Sequence, residues 1–179
     1  MYKKNSVFIA TSLDGYIADK NGGIDWLNSV PNPENEDMGY IDFMSNIDEL
    51  IMGRNTFETV LGFDMDWPYT KPVFVLSNRL KQIPEHLKNK VFLVNGSLTD
   101  VLDYIHSKGF YQLYIDGGTT IQSFLKAGLI DDIILTRIPI LLGGGISLFS
   151  ERHKAIKLDL IGTKTYLNQI TQSHYTLKK

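Results

Sequence analysis

The chain has 179 residues, of which 43% are hydrophobic and 21% charged, and its formal net charge at pH 7 is −2. This balance predicts one globular domain over residues 1–179, without the excess positive charge that binds nucleic acid or an anionic membrane. The absence of cysteine excludes disulfides, a thiolate nucleophile and a cysteine-type zinc site. The histidines have no paired spacing, so no metal site is predicted, and the polar start of the chain predicts a cytoplasmic protein.

The first predicted strand is the apolar run at residues 7–10, which ends in small residues at and after Ala10. A strand with such an end leaves room for a flat ligand to lie against it. Residues 19–33 are rich in Gly, Asn, Asp and Pro and predict a long loop with Trp26 as its apolar anchor. Such a loop is either a binding loop or lid, or a plain surface excursion.

A helical pattern follows over residues 34–47, with Asp37, Ile41 and Met44 on one face. The spacing places a carboxylate at the end of an apolar stripe. Two interpretations of Asp37 stay open: an acid that belongs to a site, or an acid that favours the positive end of the helix dipole.

The most informative stretch is residues 51–58, in which an apolar run passes through Gly53 into a charged helix start. Asn55 and Glu58 have the spacing of a capping box. Gly53 allows close backbone approach, and Arg54 adds a cation beside the free N–H groups of the first helical turn. The combination suits a phosphate, although an ordinary turn with a solvated arginine has the same pattern.

The apolar run at residues 71–76 predicts another strand, and the residues after it resemble those at the end of the run at 51–58 in suiting an anion. It is followed by Ser77, Asn78 and Arg79, which are two small hydrogen-bonding residues and a cation. Ligands of open α/β sheets bind at the carboxyl ends of the strands. These residues are therefore candidates for the same anion site.

The strand predicted at residues 111–115 supplies a third such end. It leads through Gly117 and Gly118 into a helix, with Thr119 and Gln122 spaced as another capping box. Two glycines before a helix leave backbone N–H groups free to hold a diphosphate. The G-x-G-x-x-G fingerprint of a standard Rossmann site is absent.

The last third of the chain contains more strand than helix. Residues 133–142 predict one long strand whose Pro139 implies an edge position or a bulge. Residues 166–177 alternate in the way of antiparallel strands. Together with strands and helices that alternate earlier, this predicts an α/β fold: a mostly parallel central sheet flanked by helices, with an antiparallel C-terminal hairpin.

In their order along the chain, these features resemble the dihydrofolate-reductase-like superfamily over essentially the whole sequence. The motifs that carry the resemblance are Asp14 after the first strand, Trp26, Met52-Gly53-Arg54-Asn55-Thr56, Leu76-Ser77-Asn78, Gly117-Gly118 and Leu135-Thr136. Within the superfamily, residues 12–18, 115–118 and 139–149 are most similar to the C-terminal reductase domain (RibD type) of riboflavin biosynthesis and to its stand-alone bacterial relatives.

The resemblance implies NADPH as the hydride donor and assigns residues to each part of it. Those implied at the adenosine 2′-phosphate are Arg54, Ser77, Asn78 and Arg79. Those implied along the diphosphate are Gly53, Thr56, Gly117, Gly118, Thr119 and Thr120. Those implied beside the nicotinamide are Ala10 and Ile17.

On the substrate side, the resemblance implies roles for Asp37 and Thr136. Asp37 precedes Met52 by fifteen residues, the interval of the substrate-binding carboxylate in dihydrofolate reductases, and Thr136 takes the position that supports the substrate edge. The implied activity is reduction of a small pterin-like or pyrimidine-like heterocycle, with a possible homodimer. The alternatives are 5-amino-6-(5-phosphoribosylamino)uracil reduction in riboflavin biosynthesis and a nucleotide-binding module without turnover.

Overall fold

A computed structural model describes residues 2–151 and 155–178 of the chain. The strands are β1 (Lys4–Ser12), β2 (Tyr16–Ala18), β3 (Glu49–Gly53), β4 (Val73–Leu76), β5 (Val91–Val94), β6 (Gln112–Asp116), β7 (Asp132–Ile138), β8 (Ile146–Ser147), β9 (Leu158–Tyr166) and β10 (Ile170–Leu177). The helices are α1 (Tyr40–Ser45), α2 (Arg54–Leu61), α3 (Leu98–Ser107) and α4 (Gly118–Lys126). None of the helices in this described part has the length and apolarity needed to cross a bilayer.

Eight of the strands form one sheet in the order β5-β4-β3-β6-β1-β7-β10-β9. Neighbours from β5 to β7 are parallel, whereas β10 is antiparallel to both β7 and β9. The predicted α/β fold with a mostly parallel sheet and an antiparallel C-terminal hairpin is confirmed. In parallel strands the carboxyl ends share one edge of the sheet, so the ends of β1, β3 and β6 lie together.

Both faces of the central sheet are covered, which explains the continuous apolar runs in its strands. One face packs on α3 and α4 through a core that includes Ile51, Ile105 and Phe124. The other face carries Leu50 and Met52, against which α1 and α2 pack. Because β3 contributes side chains to both cores, its carboxyl end is held rigidly.

The loop at residues 19–33 has the predicted apolar anchor. Trp26 lies in a 3-10 turn over Asp25–Ser29 and is 8% exposed. It packs with Val30, Ile138 and Ile170. These contacts hold the loop against the last residue of β7 and the first residue of β10.

The prediction of one helix over residues 34–47 is wrong, because α1 spans only Tyr40–Ser45. Asn35, Met38 and Gly39 all have positive φ, at 53°, 54° and 83°. Left-handed residues interrupt a right-handed helix, so the segment before Tyr40 is a series of turns. Asp37 therefore precedes the helix instead of lying on its face.

The predicted capping boxes are also wrong. Gly53 is the N-cap of α2 and Gly117 is the N-cap of α4, and neither helix has a side-chain cap. Asn55 and Thr119 are already the second residues of their helices. Both helices begin where the strand ends, earlier than the capping pattern indicates.

The prediction of one strand over residues 133–142, with Pro139 at an edge position or a bulge, is also wrong. β7 ends at Ile138, and it lies between β1 and β10 in the interior of the sheet. Proline has no N–H to donate to a neighbouring strand, so the strand stops before it.

Candidate active site

A cleft of about 570 Å³ opens at the carboxyl ends of β1, β3 and β6. It brings together most of the cofactor residues predicted from sequence. The predicted residues in its wall are Ala10, Ile17, Gly53, Arg54, Thr56, Gly117, Gly118, Thr119 and Thr120. These come from separate segments of the chain, and the parallel sheet delivers them to one place.

The N-termini of α2 and α4 both border the cleft. Because neither helix has a side-chain cap, the N–H groups of their first turns have no intrahelical or capping partner. Two helix N-termini also contribute partial positive charge through their dipoles. The pair forms a site suited to a diphosphate, whose oxygens accept from such N–H groups.

The glycines in this wall are required by close packing. A Cβ at Gly53 would lie 2.8 Å from Thr120 Oγ1, and a Cβ at Gly118 would lie 2.5 Å from Ile17 Cδ1. At Gly117, whose φ is +87°, a Cβ would overlap Thr56 Oγ1. Side chains at these positions would separate the two helix starts and fill the space between them.

Arg54 stands at the rim with only weak partners. Its guanidinium donates to Glu58 Oε1 at 3.3 Å and to Asn55 Oδ1 at 3.2 Å, both at exposed positions. Exposed pairs of this kind contribute little to stability, so the side chain is free to turn toward a phosphate.

Ser77, Asn78 and Arg79 lie outside the cleft wall as the structure defines it. They follow β4, and since Leu76 pairs with Gly53, their chain segment leaves the sheet next to Arg54. Ser77 Oγ accepts from the N–H of Arg79 at 3.1 Å, which shapes the turn. Their assignment to a 2′-phosphate stays a prediction.

Asp116 is the ionisable group that sequence reasoning missed. It is the last residue of β6 and lines the cleft, where Gly117 N–H donates to its Oδ1 at 2.8 Å. Burial raises the pKa of its carboxyl to about 6, against the lowering effect of the Gly117 hydrogen bond. The sequence signal for it is a carboxylate immediately before two glycines at the end of a predicted strand.

Three tyrosines surround this carboxyl. Tyr69 and Tyr114 line the cleft, and the Tyr114 hydroxyl donates to the Phe8 carbonyl at 2.8 Å. Tyr40 packs edge-on against the Phe8 ring at 5.5 Å. Burial, and then the charge of Asp116, raises the pKa of Tyr40 to about 12 and the pKa values of the other two tyrosines further. All three hydroxyls are therefore protonated at neutral pH.

Asp37 has a different environment from the one expected. Its Oδ2 accepts from the N–H of Ile41 at 2.7 Å and its Oδ1 from the N–H of Gly39 at 3.0 Å. These bonds lower the pKa of the carboxyl. Asp37 caps the start of α1 and is absent from the cleft wall.

Thr136 is buried on β7 and pairs in register with Ala10. Its Oγ1 accepts from Gln172 Nε2 at 3.0 Å, and the same amide group donates to the Met38 carbonyl. The hydroxyl thus has a structural partner, and no described contact brings it into the cleft. Its predicted role at the substrate stays a prediction.

Asp14 holds the glycine-rich segment at residues 143–145 in place. Its carboxylate accepts from Ser12 Oγ at 2.6 Å, from Gly143 N–H at 2.8 Å and from Leu142 N–H at 3.1 Å. The Ser12 bond first, and then the backbone bonds, lower its pKa. This segment leads into Ile146, which lines the cleft.

We expect Asp14→Asn to loosen this segment while the fold remains intact. The amide has one acceptor oxygen, so one of the two backbone N–H groups loses its partner. Amide hydrogen exchange at residue 142 or residue 143 should accelerate on the order of fivefold, as for one lost hydrogen bond. Asp100→Asn on α3 is the matched control, and equal exchange in both variants would show that Asp14 does not hold the segment.

Comparison with known proteins identifies the family. Residues 4–172 match the RibD C-terminal domain. The chain belongs to the RibD C-terminal domain family. It is 36% identical to the uncharacterized protein YwjB of Bacillus subtilis (strain 168) over 176 residues, which is 98% of each chain.

Solved structures agree with this family. A Shewanella sp. PV-4 protein assigned by name to riboflavin biosynthesis is 55% identical and superposes with a TM-score of 0.95, covering 98% of this chain and 99% of its own. Dihydrofolate reductase from Enterococcus faecalis, complexed with NADP(H), shares the fold at a TM-score of 0.66 and 15% identity, with 99% of both chains covered. The resemblance noted from sequence is thus confirmed at the level of family and fold. Membership in the RibD C-terminal domain family supports a reductase of the riboflavin-pathway type.

Proposed function

We propose that the protein is an NADPH-dependent reductase that transfers hydride to a small conjugated heterocycle of pterin-like or pyrimidine-like structure. The observation that carries the proposal is the cleft itself. It joins an anion cradle at two uncapped helix N-termini with a half-buried acid, Asp116, among protonated tyrosine hydroxyls.

The cradle fits the diphosphate of a dinucleotide. The close approach of Gly53 and Gly117 leaves the helix starts open to phosphate oxygens, and Thr56 and Thr120 offer hydroxyls beside them. NADPH supplies the hydride when it is bound. Arg54 and Arg79 would hold its 2′-phosphate, and Ala10 and Ile17 would hold the nicotinamide ring flat against the end of β1.

The substrate side is formed by Asp116 and the tyrosines. A carboxyl at this position accepts from the N–H edge of a heterocycle, and in its protonated form it donates a proton to a ring nitrogen as hydride arrives. Its pKa of about 6 keeps both forms accessible near neutral pH. Phe8 and Ala10 give this part of the cleft an apolar wall, which suits hydride transfer between stacked rings.

A second candidate is reduction of a ribosylaminopyrimidine phosphate, and family membership favours it. Such a substrate would need a cation for its phosphate in addition to the arginines assigned to the cofactor. Steady-state assays with this phosphate and with unphosphorylated pterins distinguish the two activities. Tight nucleotide binding without cofactor oxidation by either substrate class would instead support a binding module.

The cofactor assignment is tested by titration with NADPH and NADH while the fluorescence of Trp26 and Trp67 is followed. Trp67 packs edge-on against Tyr69 of the cleft at 5.2 Å, so it reports ligand binding. We expect micromolar NADPH binding, and a loss of about tenfold in Arg54→Ala or Arg79→Ala, equal to about 1.4 kcal/mol.

NADH affinity should change little in these variants, because NADH lacks the 2′-phosphate. Lys108→Ala, which removes a cation beside Tyr104 on α3, is the control. Failure of both nucleotides to bind would contradict the proposal. Equal losses for NADPH and NADH would place the two arginines elsewhere than at the 2′-phosphate.

A further inference from the structure

A second cavity lies between α1 and the hairpin formed by β9 and β10. Its volume is about 690 Å³, larger than the 570 Å³ of the cleft. Strands β1, β7 and β10 form its floor, and α1 and β9 form its two sides, so we call it the hairpin groove. Among the residues that the structure describes, only Phe8 lines both cavities. The volume is in the range of small-molecule binding sites.

Aromatic side chains form one wall of the hairpin groove. The rings of Phe8 and Phe43 have centroids 5.0 Å apart and planes inclined at 34°. Phe8 pairs in register with Ile134 of β7, which also lines the groove. All three side chains are half-buried, so part of their apolar surface remains open to a ligand. An aromatic ring bound here would gain the favourable contacts of an aromatic pair.

The β9 side of the groove carries a cation that lacks an anionic partner. Lys164 lines the groove and forms no ion pair with any residue of 2–151 or 155–178. Gly162, two residues earlier on the same face of β9, pairs in register with His174. A Cβ built on Gly162 would meet no atom within 4 Å. The missing side chain therefore leaves room beside Lys164 for an anionic group.

The acid in the floor of the groove is already compensated. Asp132 has a side chain that is 10% exposed; it accepts from Lys4 Nζ, and its Oδ2 lies 3.1 Å from His174 Nε2. Although burial acts to raise the pKa of Asp132, the hydrogen bonds with Lys4 and His174 lower it. With two cationic or polar partners on one carboxylate, its negative charge is balanced locally.

The α1 side of the groove carries an acid whose carboxylate has no partner within the described residues. Asp42 lines the groove opposite β9. Its backbone carbonyl accepts from Ser45 Oγ at 2.7 Å and from Asn46 Nδ2 at 2.9 Å. The side-chain oxygens are left to accept from a ligand N–H, and such a bond to a charged group is a strong one. The two sides of the groove thus present opposite charges, with an aromatic wall between them.

We propose that the hairpin groove binds an amino-substituted aromatic carboxylate. Its carboxylate pairs with Lys164, its ring packs on Phe8 and Phe43, and its amino group donates to Asp42. Charge complementarity selects this ligand class, because Asp42 repels a second anionic group and Lys164 repels a cationic one. The site is separate from the cofactor cleft and does not depend on the reductase proposal.

Isothermal titration calorimetry of the full chain with 6-amino-2-naphthoate tests the proposal. We expect a dissociation constant on the order of 100 µM, which is typical of a ligand of this size. Two matched probes, 2-naphthoate without the amino group and 6-amino-2-naphthamide without the carboxylate, should each bind about tenfold more weakly.

Variants separate the two ends of the site. Lys164→Ala should weaken binding of both carboxylate probes about tenfold, whereas Asp42→Ala should weaken 6-amino-2-naphthoate and leave 2-naphthoate unchanged or slightly tighter. Lys157→Ala is the control, because this lysine precedes β9 and does not line the groove. During the titration, the amide chemical shifts of residues 162–164 and 172–174 should change.

Four results would overturn the proposal: no measurable binding, equal affinity for the three probes, no effect of Lys164→Ala, or loss of binding in Arg54→Ala instead. The last result would place the probe in the cofactor cleft, which Arg54 lines. Neither NADPH nor turnover enters any of these measurements. Failure of this proposal is therefore distinguishable from failure of the reductase proposal.

Discussion

Asp116→Asn should lower kcat/KM by on the order of 10²–10⁴, the usual contribution of a general acid, and leave NADPH affinity within about twofold. The variant keeps the oxygen that accepts from Gly117 N–H, so the helix start at the cofactor cradle is preserved. Only the proposed proton donor to the substrate is removed. Pre-steady-state hydride transfer and NADPH titration measure the two effects separately.

The pH profile gives a second signature for Asp116. Burial raises its pKa to about 6, and a proton donor is active in its protonated form. Wild-type kcat/KM should therefore fall as pH rises above about 6, and this ionisation should disappear in Asp116→Asn. Asp116→Glu should restore part of the activity and the pH dependence.

Asp37→Asn is the matched comparison, since sequence reasoning alone selected Asp37. Because Asp37 accepts from two backbone N–H groups at the start of α1, its amide variant should lower the melting temperature and leave kcat/KM close to wild type. If Asp37→Asn loses activity and Asp116→Asn does not, Asp37 is the catalytic acid and the assignment of Asp116 is wrong.

Glu49→Gln should make the fold more stable at alkaline pH. Glu49 is fully buried on β3, and neither carboxylate oxygen has a hydrogen-bond partner among the described residues. Burial first, and then the charge of Asp48, raises the pKa of Glu49 to about 9. The folded chain therefore keeps a proton that the unfolded chain releases near its ordinary pKa of 4.5.

The sign of the effect follows from proton linkage. Between pH 4.5 and 9 the folded state binds one more proton than the unfolded state, so the free energy of unfolding falls as pH rises. The free energy of unfolding falls by about 1.4 kcal/mol per pH unit. At pH 7 the stability lost in this way amounts to roughly 3 kcal/mol. Glutamine, which does not ionise, removes this loss.

Urea unfolding at pH 5 and pH 8 measures the difference. The variant and the wild type should be similar at pH 5, and the variant should be more stable at pH 8 by on the order of 4 kcal/mol. Glu85→Gln, at an exposed position, is the control for general charge effects. Parallel pH dependence of all three proteins would show that Glu49 ionises normally in the folded state.

The sequence by itself determined the order of elements, the family resemblance and the strand ends whose residues are suited to binding a phosphate. These follow from local signals: short apolar runs, glycines between strand and helix, and alternation in the hairpin. Gly53, Arg54, Gly117 and Gly118 were predicted because glycines and a cation between a strand and a helix are visible in the local sequence, and all four line the cleft. The predicted start of α1 was wrong, since Asn35 and Met38 adopt positive φ, which hydrophobic periodicity does not indicate.

Only the tertiary structure decided which acid faces the cleft and which edge of the sheet stays open. The raised pKa values of Asp116 and Glu49 result from burial by segments distant in sequence, and Tyr40 and Tyr69 meet Asp116 only in the folded chain. In the same way, the exposure of β9 depends on its place beside β10 at the end of the sheet order. Burial and pKa are set by long-range contacts, whereas strands and turns are set largely by the local chain.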